Sequence, residues 1–188
     1  MTRNSNYQNL QMFHVPAGFR GRSALFVQFW WIVQALVFKR LPQICFPLRR
    51  FLLRAFGAKV GVAVKIRPGV VITLPWKVSI GDYAWIGDNV TLYSLGPISI
   101  GKNSVISQDT VICAADHDYT KQAFPLRERA VSIEDEVWVA SDVWIGPGVT
   151  VGAGSVIGVR STVLRDLPPG MVCFGTPCIP IKRRVSVP

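Results

Sequence analysis

His117 is the residue of this chain best suited to moving a proton. It is one of only two histidines, the other being His14, and it lies in the string Ala115-Asp116-His117-Asp118-Tyr119. Neutral imidazole, with a reference pKa of about 6.5, accepts a hydroxyl proton near neutral pH. Asp116 and Asp118 flank it, and either carboxylate is a candidate to orient the ring or favour its charged form. A second group of residues is basic: Arg160, Arg165, Lys182, Arg183 and Arg184 gather toward the C-terminus. Cations of this kind suit a phosphorylated ligand, or form a solvated tail. Four cysteines (Cys45, Cys113, Cys173, Cys178) show no CxxC pair and no zinc-ligand spacing, so they read as reduced thiols.

The elements that position His117 follow from a change of texture at Gly57. Residues 1–22 form a polar arm. Over 23–57 the pattern is helical, with Pro42 and Pro47 interrupting it and Gly57 placed to stop it. Beyond Gly57 an aliphatic residue recurs every six positions, in sets of three. These are Val60, Ile66, Ile72; Ile80, Ile86, Leu92; Ile100, Ile106, Ile112; Ile133, Val139, Ile145; and Val151, Ile157, Val163. Gly follows seven of these residues, which suggests that the residue after the aliphatic one turns a corner. Five sets of three predict about five coils of a triangular prism over 58–168, a parallel β-solenoid whose aliphatic side chains stack between coils. The series breaks between Ile112 and Ile133, so a loop over 116–132 leaves the prism with His117 at its base. An excursion from a rigid solenoid is where function is normally placed. Residues 169–188 form a C-terminal tail.

The net charge of +10 calls for a partner: nucleic acid, a phosphorylated cofactor or an anionic membrane face. No nucleic-acid recognition motif is present, so that candidate is set aside. The polar N-terminus lacks a cleavable signal peptide, and the apolar stretch from Ala24 to Phe38 is shorter than the roughly 20 residues a membrane span needs. The expected location is cytoplasmic. The helical head is either a cap on the open end of the prism or a membrane-surface element. In the second reading Trp30 and Trp31 anchor it, and Arg49 and Arg50 meet lipid phosphates at the inner face of the membrane.

The segments LRRFLLRAFGAKVG, LPWKVSIGD, SLGPISIGKNSVIS, ADHDY, WVASDVWIGPGVTVG and DLPPGMVCFGTPCIPIKRR carry a resemblance. Together they resemble the hexapeptide-repeat acyltransferases, most closely the colanic-acid-biosynthesis acetyltransferase group, cousins of the galactoside and streptogramin O-acetyltransferases. The resemblance implies a left-handed parallel β-helix, a homotrimer, and acetyl-CoA as co-substrate. It implies that His117 is the catalytic base and that Trp138 lies beside the reacting groups. It also implies that Ala140, Ser141, Gly158, Val159 and Gly175 line the pantetheine groove, and that Arg165 and Lys182 meet the coenzyme's 3′-phosphate. Ala140 stands where the family's VWIG segment has Gly, and Ile179 replaces a further basic position. Related proteins that bind zinc use three histidines; this chain has two, so no metal is expected.

The implied function is transfer of acetyl to a sugar hydroxyl in an exopolysaccharide or a lipid-linked glycan precursor. Alternatives are a small-molecule acceptor, either a free sugar or an antibiotic, and a non-catalytic scaffold that binds membrane through its basic head. The acceptor residues of galactoside acetyltransferases do not carry over, because Gly87 and Leu95 stand at two of those positions. Asp88, Tyr93 and the loop from Asp118 to Arg129 remain as candidate acceptor contacts.

Overall fold

The computed structural model describes residues 7–185. The period of six becomes a three-faced parallel solenoid. Lys59–Val60, Val78–Ile80, Ile98–Ile100, Val131–Ile133 and Thr150–Val151 stack as the first face. Lys65–Ile66, Trp85–Ile86, Val105–Ile106, Trp138–Val139 and Val156–Ile157 build the second. Val71–Ile72, Thr91–Tyr93, Val111–Cys113, Trp144–Ile145 and Thr162–Val163 complete the third.

Register pairing puts each aliphatic residue of the hexads on its equivalent in the next coil. One column is Val60, Ile80, Ile100, Ile133 and Val151. A second is Ile66, Ile86, Ile106, Val139 and Ile157, and a third is Ile72, Leu92, Ile112, Ile145 and Val163. All but Val60 are buried. At roughly 1.5–3 kcal/mol for each fully buried side chain, these columns are the main source of stability.

Five coils are complete, and the C-terminal segment adds a partial sixth. Met171–Gly175 pairs parallel with Val156–Ile157, so that Cys173 extends the second column, and Cys178–Arg183 turns back antiparallel on it. That segment is a hairpin and not a loose tail.

The corners correct the reading of the glycines. The left-handed residue is the third after the aliphatic one: Ala63, Tyr83, Asn89, Asn103, Asp109, Glu136, Asp142 and Arg160 have φ between 53° and 60°. The glycines directly after the aliphatic residue have no positive φ. They are needed because the adjacent coil passes too close. A Cβ on Gly81 or Gly101 would lie 2.5 Å from the main-chain nitrogen of Lys102 or Asp135.

The head contains α1 (Ala24–Val33), which runs on as a π-helical turn over Gln34–Phe38, and α2 (Phe46–Ala55). The Ser23 side chain caps α1 by accepting from the Phe26 N–H, and Gly57, at φ 90°, follows α2 where the sequence placed the stop. The first coil exposes a sheet edge whose polar groups need partners, and the head supplies them. Gln34 accepts from the Ile72 N–H, while Trp30 and Trp31 donate to the carbonyls of Ile72 and Thr73. Arg50 donates to the Val64 carbonyl, and Arg54 to those of Val60 and Gly61.

The membrane reading of Trp30, Trp31, Arg49 and Arg50 is therefore overturned at those residues, because their polar groups are committed inward. Arg49 is fully buried and donates to the carbonyls of Leu41 and Pro42. No helix among the described residues is long and apolar enough to cross a membrane.

Candidate active site

His117 ends the short strand Ala115–His117, which pairs antiparallel with Leu126–Glu128 at the base of the predicted excursion. Its ring is fixed from two sides. Phe124 stacks on it with centroids 4.2 Å apart and planes 9° apart, and the Phe124 carbonyl lies 2.8 Å from Nδ1. A carbonyl can only accept, so Nδ1 carries the proton and Nε2 keeps a free lone pair. That tautomer is the one a general base needs.

Neither flanking carboxylate contributes to this arrangement. Asp116 is held bidentately by Arg127, at 2.8 and 3.0 Å. Asp118 accepts from the hydroxyl and N–H of Thr120, at 2.6 and 3.1 Å. The Thr120 hydroxyl, with smaller help from Arg127 and Lys121, holds the Asp118 carboxyl below its ordinary range. The orienting role expected of Asp116 or Asp118 falls instead to the main chain of Phe124. Both carboxylates are engaged within the hairpin instead.

The polar arm also reaches this loop. The Asn9 N–H donates to the Gln122 carbonyl at 2.7 Å, and the Phe13 ring lies 5.8 Å from the imidazole. Composition predicted only a polar segment here. Phe124 and Phe13 carry no signal in the sequence, since one acts through a carbonyl and the other through a long-range contact.

The expected coenzyme residues fall into two groups. Ala140 and Ser141 follow Val139, Gly158 and Val159 follow Ile157, and Phe174 and Gly175 follow Cys173. Because those three residues are stacked in register, the pairs lie on successive rungs of one prism edge, where the second face turns into the third. A Cβ on Gly158 would overlap the Phe174 ring, so a larger residue there has to displace that ring. The Gly175 N–H donates to Ser161 Oγ at 3.1 Å. Trp138 stands outward on the second face, 47% exposed, and its Nε1–H donates to Ser107 Oγ at 3.1 Å. Lys182 is exposed on the C-terminal hairpin opposite Val172. Arg165, also exposed, follows the third face and therefore occupies a different corner, the one from which the His117 loop departs.

The same edge continues toward the head into a cavity of about 400 Å³, lined by Lys65, Arg67, Trp85, Asp88, Ser107 and Gln108 among others. Lys65 Nζ lies 4.1 Å from the centroid of the Trp85 ring, and Arg67 pairs with Asp88 at 2.7 Å. A roomier recess beside Arg54, Lys59 and Ser79 belongs to the first coil and lies off this edge. Tyr93 is on the third face, away from the cavity lining. Among the described residues there is no group of three or more His, Cys, Asp or Glu that could hold a metal ion.

The prism of hexapeptide coils is the fold of the hexapeptide-repeat acyltransferases. The chain belongs to the acetyltransferases of that class. It is 51% identical over 179 residues to the colanic acid biosynthesis acetyltransferase WcaF of Escherichia coli (strain K12), covering 95% of this chain and 98% of that one. It is 30% identical over 142 residues to the galactoside O-acetyltransferase of the same organism, covering 71% of this chain and 68% of that one. A hexapeptide-repeat acetyltransferase of Vibrio cholerae, solved with acetyl coenzyme A, superposes with a TM-score of 0.79 at 28% identity, over 88% of this chain and 92% of that one. A galactoside acetyltransferase in complex with coenzyme A superposes at 0.76 and 25% identity, over 89% and 83%. The solenoid is the left-handed β-helix of these enzymes. No protein-family model matches the sequence.

Proposed function

We propose that the protein transfers acetyl from acetyl-CoA to a sugar hydroxyl of a polysaccharide or its lipid-linked precursor, with His117 as general base. The observation that carries this reading is the Phe124 carbonyl on Nδ1, which leaves Nε2 ready to accept a proton. In this mechanism the acceptor O–H gives its proton to Nε2 as its oxygen attacks the thioester carbonyl. The tetrahedral intermediate then collapses, the C–S bond breaks, and the imidazolium returns the proton to the departing coenzyme thiolate. The pantetheine arm lies along the edge formed by Ala140, Ser141, Gly158, Val159 and Gly175. Trp138 flanks the acetyl group, and Lys182 of the same subunit meets the 3′-phosphate together with Arg165 of a neighbouring subunit, from the corner that also carries His117. The acceptor occupies the cavity at the head end of that edge, where Trp85 offers a stacking face and Asp88, Ser107 and Gln108 offer hydrogen bonds.

His117 and the coenzyme edge lie at different corners of one prism. That separation supports a homotrimer as the active unit, in which one subunit's base meets its neighbour's groove. The test is incubation of the purified protein with labelled acetyl-CoA and a panel of lipid-linked oligosaccharides, free sugars and antibiotics. Label on one lipid-linked glycan is the expected result. Label on a free sugar or antibiotic alone would change the acceptor class, and label on none would remove the enzymatic reading.

A further inference from the structure

We infer that the outer face of α1 and its π-helical extension seats the protein on an anionic lipid bilayer. Between Ala24 and Phe38 only Gln28 and Gln34 are polar, so this helix is apolar on every side. A helix of that kind has to be covered on every side. The inner half is covered: Val27, Trp30, Gln34 and Phe38 are buried against the prism. The outer half is not. Leu25, Phe29, Ile32 and Leu36, spaced at steps of three and four, form one row exposed at 83%, 57%, 55% and 59%. At 1.5 Å per residue the row is about 17 Å long. That is too short to cross a bilayer, and one side of the helix is committed to the core, so the helix lies along a surface.

The charge around the row selects the surface. Every one of the 11 acidic residues lies at or after Asp82, so the first 81 residues carry basic side chains only. Exposed Arg22 precedes the helix, and exposed Lys39 and Arg40 follow it. None of the three enters an ion pair among the described residues. An apolar row with unneutralised cations at both ends fits acyl chains below anionic headgroups. A second copy of this chain would bring those cations face to face. The lipid-facing residues are thus not Trp30, Trp31, Arg49 and Arg50, which point inward. This inference rests on the head alone and does not depend on the acceptor.

The experiment is flotation of the full chain with vesicles of phosphatidylcholine, with or without phosphatidylglycerol, at low and high salt. Binding is expected only to the anionic vesicles, and it weakens with salt. Replacing Lys39 and Arg40 with Gln lowers the partition coefficient about fivefold per charge. Leu25→Ser with Leu36→Ser lowers it further, while the melting temperature stays at its wild-type value, because neither side chain packs in the core. Absence of binding to anionic vesicles, equal binding to neutral ones, or unchanged binding by the serine variant would each overturn the inference. So would light scattering that showed the serine variant losing subunits, since the row would then be an interface between copies.

Discussion

At the scale of single residues, the proposed chemistry rests on one nitrogen atom, Nε2 of His117, whose lone pair is left free by the Phe124 carbonyl on Nδ1. His117→Ala is expected to lower kcat by roughly 10²–10⁴-fold, the contribution of a positioned acid–base group. Coenzyme affinity, read by calorimetry, stays near wild type because the ring is not on the coenzyme edge. Asp116→Asn and Asp118→Asn test the alternative orienters. Their carboxylates bind Arg127 and Thr120, so each substitution should lower kcat by less than about tenfold. A loss in either variant as large as that of His117→Ala would restore the carboxylate to the imidazole. The place of His117 at the base of an excursion was legible from the break in the hexads. Its partner was not, because any residue type can present a carbonyl, and only the fold decides which carbonyl faces the ring.

At the scale of elements, the period of six made the prism legible almost rung by rung, since a column of Ile and Val every sixth residue has no other economical packing. What the period misassigned was the job of glycine. The prism tolerates Ala, Asn, Asp, Tyr, Glu and Arg at its left-handed corners, yet it excludes a Cβ where coils approach most closely. Gly101→Ala is therefore expected to destabilise by more than Gly154→Ala. The first forces a methyl against the Asp135 backbone, an overpacking cost of about 1–3 kcal/mol or more. The second meets nothing within 4 Å and bears only its left-handed φ of 69°, at about 1–2 kcal/mol. Equal losses in urea melts would return the corner explanation.

The sixth rung makes a separate prediction. Burial raises the Cys173 thiol from 9.0 to about 11. The folded chain thus holds this proton more tightly than the unfolded one does. The stabilisation is complete below pH 9 and is lost as pH rises through about 11. Thermal melts from pH 8 to 11 should fall more steeply for wild type than for Cys173→Ala; parallel slopes would remove the linkage. The hairpin that carries Cys173 was not legible, because Cys and Phe replace the aliphatic-glycine pair at that rung.

At the scale of the whole molecule, the separation of His117 from the proposed coenzyme edge predicts a result that no single-chain site can give. Take two inactive variants, His117→Ala and Ser141→Trp, the second filling the groove with an indole. In a cyclic trimer each site uses the base of one subunit and the groove of the next. A site is native only where a Ser141→Trp subunit supplies His117 and a His117→Ala subunit supplies the groove. Every mixed trimer, whether two-to-one or one-to-two, contains one such junction among its three. With equal and random mixing about three quarters of trimers are mixed, so about a quarter of wild-type activity returns. Neither variant alone should exceed its own residual rate, and unfolding and refolding them separately before mixing should leave the mixture inactive. Recovery to about a quarter after co-refolding would place the base and the groove on different chains. Failure to recover, with mixed trimers demonstrated by mass spectrometry, would mean that one chain closes its own site, and the loop carrying His117 would then have to fold back across the third face.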